Sequence, residues 1–370
     1  MNKTSSRYAR RTAVALITLF GFAIAAAADT APPAPPAATP GAKADPIADA
    51  MKPCATGDDP VARAVACTNL IISGKLSGPA LGAAYVFRGK AQAQRHELQA
   101  AIADFSEALK VNPQATDALY NRAAAYALMG HPDFALADFS HVLDLAPGDA
   151  DTLFYRAQIL ISMGRKEDAI SDLGAVLRLK PEDVDSRLQR AGLLIALGRN
   201  DDAIADLNQL LAKSPKAAAV LYNRGRAELM TGDNAAAAKD FAAAMQDRDN
   251  NPYAALRLYI ANARMGKIDT APLAATTKAF PPDQWPLPIV AFFQGQVSEA
   301  DLTGATVSDP KAAAGLAAET QYYLGQWALL KRDPKAAAQH FQSALAAKAD
   351  PANLEVIDAG LELKKLKPGQ

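Results

Sequence analysis

Few stretches of this chain show the alternation of β-branched residues that marks a strand, and its apolar positions fall instead in long alanine-rich runs. Alanine favours helices because it has no side-chain entropy to lose and lets neighbouring helices approach closely. The pattern therefore predicts an all-α protein, and a self-alignment shows that it repeats. Shifted by 34 residues, Gly130, Gly164, Gly198 and Gly232 fall in one column. Ala101, Ala135, Ala169, Ala203 and Ala237 form a second, followed four residues on by Phe105, Phe139, Leu173, Leu207 and Phe241. Pro113, Pro147, Pro181 and Pro215 form a third, and a small residue recurs at Gly89, Ala123, Ala157, Ala191 and Gly225.

Glycine at a turn, a small residue facing a large apolar one, and proline at the exit are what a helix-turn-helix unit needs. Period and columns resemble the tetratricopeptide repeat (TPR) family. The resemblance implies a right-handed TPR superhelix, an α-solenoid, with five units at 82–115, 116–149, 150–183, 184–217 and 218–251. His96 stands in the turn column and Asp249 in the proline column, so looser corners are expected at those two places.

Two charged columns run through the same units: Arg88, Arg122, Arg156, Arg190 and Arg224, and Asp104, Asp138, Asp172, Asp206 and Asp240. A catalytic couple is needed once, whereas five copies point to a structural ladder of ion pairs between helices, each arginine burying its stem.

Beyond Asn251 the columns blur. Asn251-Pro-Tyr253, then Trp285-Pro-Leu-Pro-Ile289 leading to Phe292 and Phe293, Ser298-Glu299, and Glu319 ahead of Tyr322-Tyr-Leu-Gly325 follow in order. Their succession resembles the C-terminal half of the NlpI family of bacterial cell-envelope TPR lipoproteins. That resemblance implies an adaptor that dimerises and brings murein hydrolases to envelope proteases, although the family's lipobox cysteine is missing here. Read by themselves, Trp285, Phe292 and Phe293 suit core anchors in an irregular helical segment over 252–316. Residues 317–370 then restore one repeat-like helix pair and add a closing helix over Leu354–Leu366.

At the other end, Lys3, Arg7, Arg10 and Arg11 precede an apolar run that closes on Ala26 and Ala28, the order of a secretory signal peptide over 1–28. An uncleaved anchor is the alternative. Without that signal the chain carries 35 basic and 39 acidic side chains, net −4, and no basic stripe of the kind that marks nucleic-acid binding. Residues 29–50 read as a Pro/Ala-rich tether. In 51–81, Cys54 and Cys67 predict a disulfide after export, tying the chain's entry to a helix opened by Pro60 and capped by Asp58 or Asp59. A metal site or reactive thiol is the other option for the pair, but no histidine lies nearby to complete a tetrahedral site.

Function is expected in the concave groove that the first helices of such a stack line. By family position it presents Phe87, Tyr120, Asn121, Phe154, Tyr155, Gln158, Tyr222, Asn223 and Arg226, with Val86 and Lys90 beside them, and suits a peptide or protein segment. The competing reading is that several of these pack between helices. Only the asparagines of the family's carboxylate clamp match, at Asn121 and Asn223, so a chaperone-tail function is not implied. No H-E-x-x-H, G-x-S-x-G or phosphate loop occurs, and His96, His131, His141 and His340 are scattered, so no enzymatic activity, cofactor or metal is expected. Two functions fit: a periplasmic adaptor presenting clients, or a structural component of an envelope or secretion assembly.

Overall fold

The computed structural model describes residues 46–246, 251–281, 284–304 and 310–366. The signal peptide, most of the tether and Asp249 lie outside them. Among the described residues there are 19 α-helices and no strand, and none of these helices is long and apolar enough to cross a membrane. The chain divides into two compact units, Met1–Pro181 and Glu182–Gln370.

The first unit holds α1 (Pro46–Thr56), α2 (Pro60–Ile72), α3 (Gly78–Gln94), α4 (Leu98–Val111), α5 (Thr116–Leu128), α6 (Pro132–Leu145), α7 (Ala150–Ser162) and α8 (Lys166–Leu179). Two expected boundaries move. The tether ends at 45 rather than 50, because Pro46 suits the first turn of a helix and Ile47-Ala-Asp-Ala-Met51 continues it. The segment over 51–81 is not one helix but the end of α1, all of α2 and the start of α3. Cys54 and Cys67 are disulfide-bonded across the first pair, and both are fully buried. Asp59 caps α2, accepting from the backbone N–H groups of Val61 at 3.0 Å and Ala62 at 3.1 Å.

Each 34-residue unit is a helical hairpin whose columns have separate physical tasks. The column alanines Ala101, Ala135 and Ala169 are fully buried, as are Phe105, Phe139 and Leu173 four residues on. The small residue of the first helix is where that large side chain lands: a Cβ on Gly89 would stand 2.7 Å from the Phe105 ring. The exit proline acts through the residue before it. Asn112, Ala146, Lys180 and Ser214 are all pushed out of the helical region, to φ −139° to −126° and ψ 75° to 100°, and each helix stops there.

Turn glycines Gly130 and Gly164 sit at φ 76° and 74°, and His96 takes the same left-handed conformation at φ 61°. Its corner is not looser. Glu97 N–H donates to the Gln92 carbonyl at 2.9 Å, as His131 N–H does to Tyr126 at 2.9 Å. The departure from glycine is absorbed as backbone strain at one residue.

The second unit continues with α9 (Val184–Ala196), α10 (Asn200–Lys213), α11 (Ala218–Thr231), α12 (Asn234–Gln246), α13 (Pro252–Arg264), α14 (Ala271–Ala279), α15 (Leu287–Phe293), α16 (Glu299–Gly304), α17 (Pro310–Leu330), α18 (Pro334–Ala346) and α19 (Leu354–Leu366). The columns persist further than the blurred pattern suggests. Gly266 falls 34 residues after Gly232 and is left-handed at φ 76°, so α13 and the short α14 form a sixth hairpin. In α17 and α18 the hairpin logic returns, with Gly325 so close to Phe341 that a Cβ would stand 2.4 Å from the ring. Between them Phe292 and Phe293 are buried against Trp327, ring centroids 5.4 and 5.3 Å apart, and half-buried Trp285 packs on the same core.

Candidate peptide-binding site

The charged columns meet. In every unit the arginine of the first helix grips the aspartate of the second through Nε and Nη2, at 2.6 to 2.8 Å: Arg88 with Asp104, Arg122 with Asp138, Arg156 with Asp172, Arg190 with Asp206, Arg224 with Asp240. The planar guanidinium makes this two-point grip possible. Its remaining nitrogen reaches back to the preceding hairpin or helix. Nη1 donates to Thr68 at 3.2 Å from Arg88, to Ser106 at 3.1 Å from Arg122, to Ser140 at 3.3 Å from Arg156 and to Asn208 at 2.6 Å from Arg224. Each rung thus closes its own hairpin, and those of Arg88, Arg122, Arg156 and Arg224 also tie it to the element before, which leaves these residues a structural task.

In the first unit the expected groove residues separate into two groups. Tyr120, Phe154, Tyr155 and Phe87, on the first helices α3, α5 and α7, are half-buried. Tyr120 packs edge-on against Phe139 at 5.5 Å and Tyr155 at 6.0 Å, and Phe154 against Tyr155 at 5.5 Å. Burial, then Tyr155 and Asp151, push the Tyr120 hydroxyl well above the usual tyrosine range, and it stays protonated and hydrogen-bonded to Tyr155. The second group does not line an open groove. Asn121 is buried, its amide donating to the Asp117 backbone carbonyl at 2.7 Å and carboxylate at 2.9 Å. Gln158 and Val86 are buried too, as is Lys90, which pairs with Asp117 at 2.9 Å. A short polar side chain in a helix readily bonds the carbonyl four residues back, and that local option wins over outward display.

In the second unit one of the expected groove residues, Arg226, is covered by the chain itself. Arg226 is buried and donates to Asp358 of α19 at 2.7 and 3.2 Å. Arg257, fully buried, reaches Asp358 at 2.7 Å and Glu355 at 2.9 Å, and donates to the hydroxyls of Tyr222 at 2.8 Å and Tyr322 at 3.2 Å. Asn223 accepts from Arg226 at 3.1 Å and donates to the Ala219 carbonyl at 2.9 Å. Arg264 completes the row, on Glu362 at 2.7 Å and Gln326 at 2.7 Å. Burial opposes the charge on Asp358, yet Arg226 and Arg257 hold its carboxyl below the usual range. Burial raises the Tyr222 hydroxyl to about 12. Arg226 therefore does not face an open groove, while Tyr222 and Asn223 stay half-buried beside it. A second knot lies on Glu319, which accepts from Trp285 Nε1 at 2.6 Å, Tyr253 Oη at 3.0 Å and Asn353 Nδ2 at 3.3 Å. Burial, then Glu355, raise its carboxyl to about 7.

Family models agree with the hairpins. Models described as tetratricopeptide repeat match residues 150–183 and 188–255, and one described as TPR repeat matches 89–130. The fold is an all-α TPR solenoid. Similar solved structures include a tetratricopeptide repeat protein from Parabacteroides merdae, 19% identical, TM-score 0.43, covering 86% of this chain and 98% of that one. The C-terminal part of a TPR repeat-containing protein from Cytophaga hutchinsonii is 18% identical, TM-score 0.44, covering 73% and 97%. YrrB, a TPR protein with an unusual peptide-binding site, is 20% identical, TM-score 0.46, covering 52% and 96%.

Within the TPR hairpins the two charged columns located the ladder but not the arginine row of the second unit. Arg257 and Arg264 fall outside the 34-residue columns, and their partners are up to 98 residues away. A usable signal was present in α19, where Glu355, Asp358 and Glu362 lie three and four apart and so share one helix face. Among the described residues no cluster of histidine, cysteine and carboxylate side chains could hold a metal ion.

Proposed function

We propose that this TPR protein is a non-enzymatic scaffold of the cell envelope that binds protein segments on the aromatic row of its first unit. The carrying observation is the run of half-exposed rings Phe87, Tyr120, Phe154 and Tyr155 on successive first helices. Tyr120, Phe154 and Tyr155, already packed edge-on, lose little freedom when a ligand covers them, and the tyrosine hydroxyls offer bonds to a peptide backbone. Export to the periplasm is supported by the basic start, the apolar run that follows it and the Cys54–Cys67 disulfide, which an oxidising compartment preserves. Resemblance to the NlpI family favours an adaptor, acting as a homodimer, that links envelope proteases or murein hydrolases to their substrates.

Photo-crosslinking residues placed at Phe87, Phe154 and Tyr155, read in cells after fractionation, test this. An adaptor gives several captured periplasmic proteins. One stoichiometric partner supports the structural-component reading, and no capture at all three positions overturns the aromatic row as a binding surface. Recovery of the protein in the cytoplasm, with its signal intact, overturns the envelope assignment.

A further inference from the structure

A helix that closes a stack ordinarily turns aliphatic side chains inward, because buried apolar area supplies the driving force at about 25 cal/mol per Å². The closing helix α19 turns acids inward as well. Glu355, Asp358 and Glu362 are among its buried residues, at 5%, 0% and 4% exposure, beside buried Ala359 and Leu361 and partly buried Leu363 and Leu366. They meet Arg226 of α11 and Arg257 and Arg264 of α13, with Asp358 shared by Arg226 and Arg257, and Gln326 of α17 donates to Glu362 at 3.3 Å. These receptors all come from first helices of hairpins, the surface on which a TPR stack receives ligands.

We infer that residues Leu354–Leu366 are a built-in ligand of the second unit, and that the arginine row beneath them is a binding site for an acidic amphipathic helix of a partner protein. The partner is defined by carboxylates at positions i, i+3 and i+7 of one helix face. Charge and register make the site selective. Asp358 serves both Arg226 and Arg257, so a helix lacking the middle acid leaves one buried cation unpaired and a second held by Glu355 alone, and is rejected. The same chemistry makes the resident helix exchangeable. Desolvating an ion pair cancels much of its Coulomb gain, so a competitor with the same acids replaces α19 with little change in the pairing energy of the row. The short connection over 347–353 holds α19 at an effective concentration on the order of millimolar, which a competing helix must overcome. The site lies within the second unit and does not depend on the aromatic row of the first.

A labelled peptide of residues 350–368 tests the inference on the full chain. In one form of the protein Asp358→Lys and Glu362→Lys together drive the resident helix off the arginines. That form, its helicity checked by circular dichroism, is expected to bind the peptide at least tenfold more tightly than the wild-type chain. A peptide carrying Glu355→Gln, Asp358→Asn and Glu362→Gln is expected to lose that binding. Equal affinity of the two proteins, or equal binding of the two peptides, overturns the site. Should the double variant not fold, hydrogen exchange on the wild-type chain decides. Amides of 354–366 exchanging at least tenfold faster than those of 252–264 support a helix that lifts by itself, and equal rates make α19 a fixed cap and overturn the inference.

Discussion

Arg122 holds both carboxylate oxygens of Asp138, at 2.7 and 2.8 Å, while its third nitrogen donates to Ser106 of the preceding hairpin at 3.1 Å. One side chain thus sets the angle within a repeat and the register between two repeats. Removing the acid leaves a half-buried guanidinium with only the serine. Asp138→Ala is therefore expected to destabilise the first unit by about 3 kcal/mol, and Ser106→Ala by about 1. Urea denaturation of the two variants checks this. An Asp138→Ala protein that unfolds like the wild type shows that the rungs contribute nothing.

The contact of Gly325 with Phe341 sets two effects against each other. Alanine at position 325 gains about 1 kcal/mol of helix propensity, but its Cβ would stand 2.4 Å from the ring, and overpacking costs about 1 to 3. Gly325→Ala is expected to lower stability by about 1 kcal/mol or more. Thermal unfolding of the variant reads the sign directly.

At the first turn the sign is reversed. His96 sits at φ 61°, where its turn-column counterparts are glycines, and the residue is exposed. His96→Gly relieves the left-handed strain and should stabilise by about 1 kcal/mol, seen as a higher denaturant midpoint with an unchanged slope.

Two carboxyls give stability a pH dependence. Glu319 is raised to about 7 by burial and then by Glu355, and Glu228 to about 7 by burial and then by Asp240. Between the ordinary carboxylate value of 4.5 and about 7 the folded chain holds protons that the unfolded chain has released. Stability from these two groups is fully present below that window and is lost as pH rises through it. Asp358 and Glu362, lowered in the folded chain, act the other way at more acid pH. Denaturation at pH 5, 6, 7 and 8 should show a falling midpoint, and Glu319→Gln should remove about one proton from the slope. A midpoint that rises over this range contradicts the assignment.

Replacing both Cys54 and Cys67 by serine opens a link that spans 13 residues in sequence, for which loop entropy predicts a loss of roughly 3 kcal/mol. Because α1 and α2 are joined by that link and α2 also meets the first rung through Thr68, the loss should be local to the amino-terminal helices. Limited proteolysis is expected to cut near residues 46–72 first.

The sequence by itself determined the hairpins, the turn column, the exit prolines, the disulfide partners, the closing helix and the ladder. All of these rest on contacts inside one repeat, between neighbouring repeats or across a short loop, and a periodic pattern encodes such contacts directly. Gly266 shows that even the blurred region kept its period for anyone counting by 34. Only the tertiary structure decided which first-helix residues stay open. Tyr120 and Asn121 are neighbours on one helix and both are expected in the groove, yet the ring stays half-buried while the amide turns back on Asp117. The Arg226–Asp358 pair is separated by 132 residues, beyond the reach of any local period. What covers the second unit is fixed by long-range charge pairing, and that became visible only when α19 was placed on the arginines.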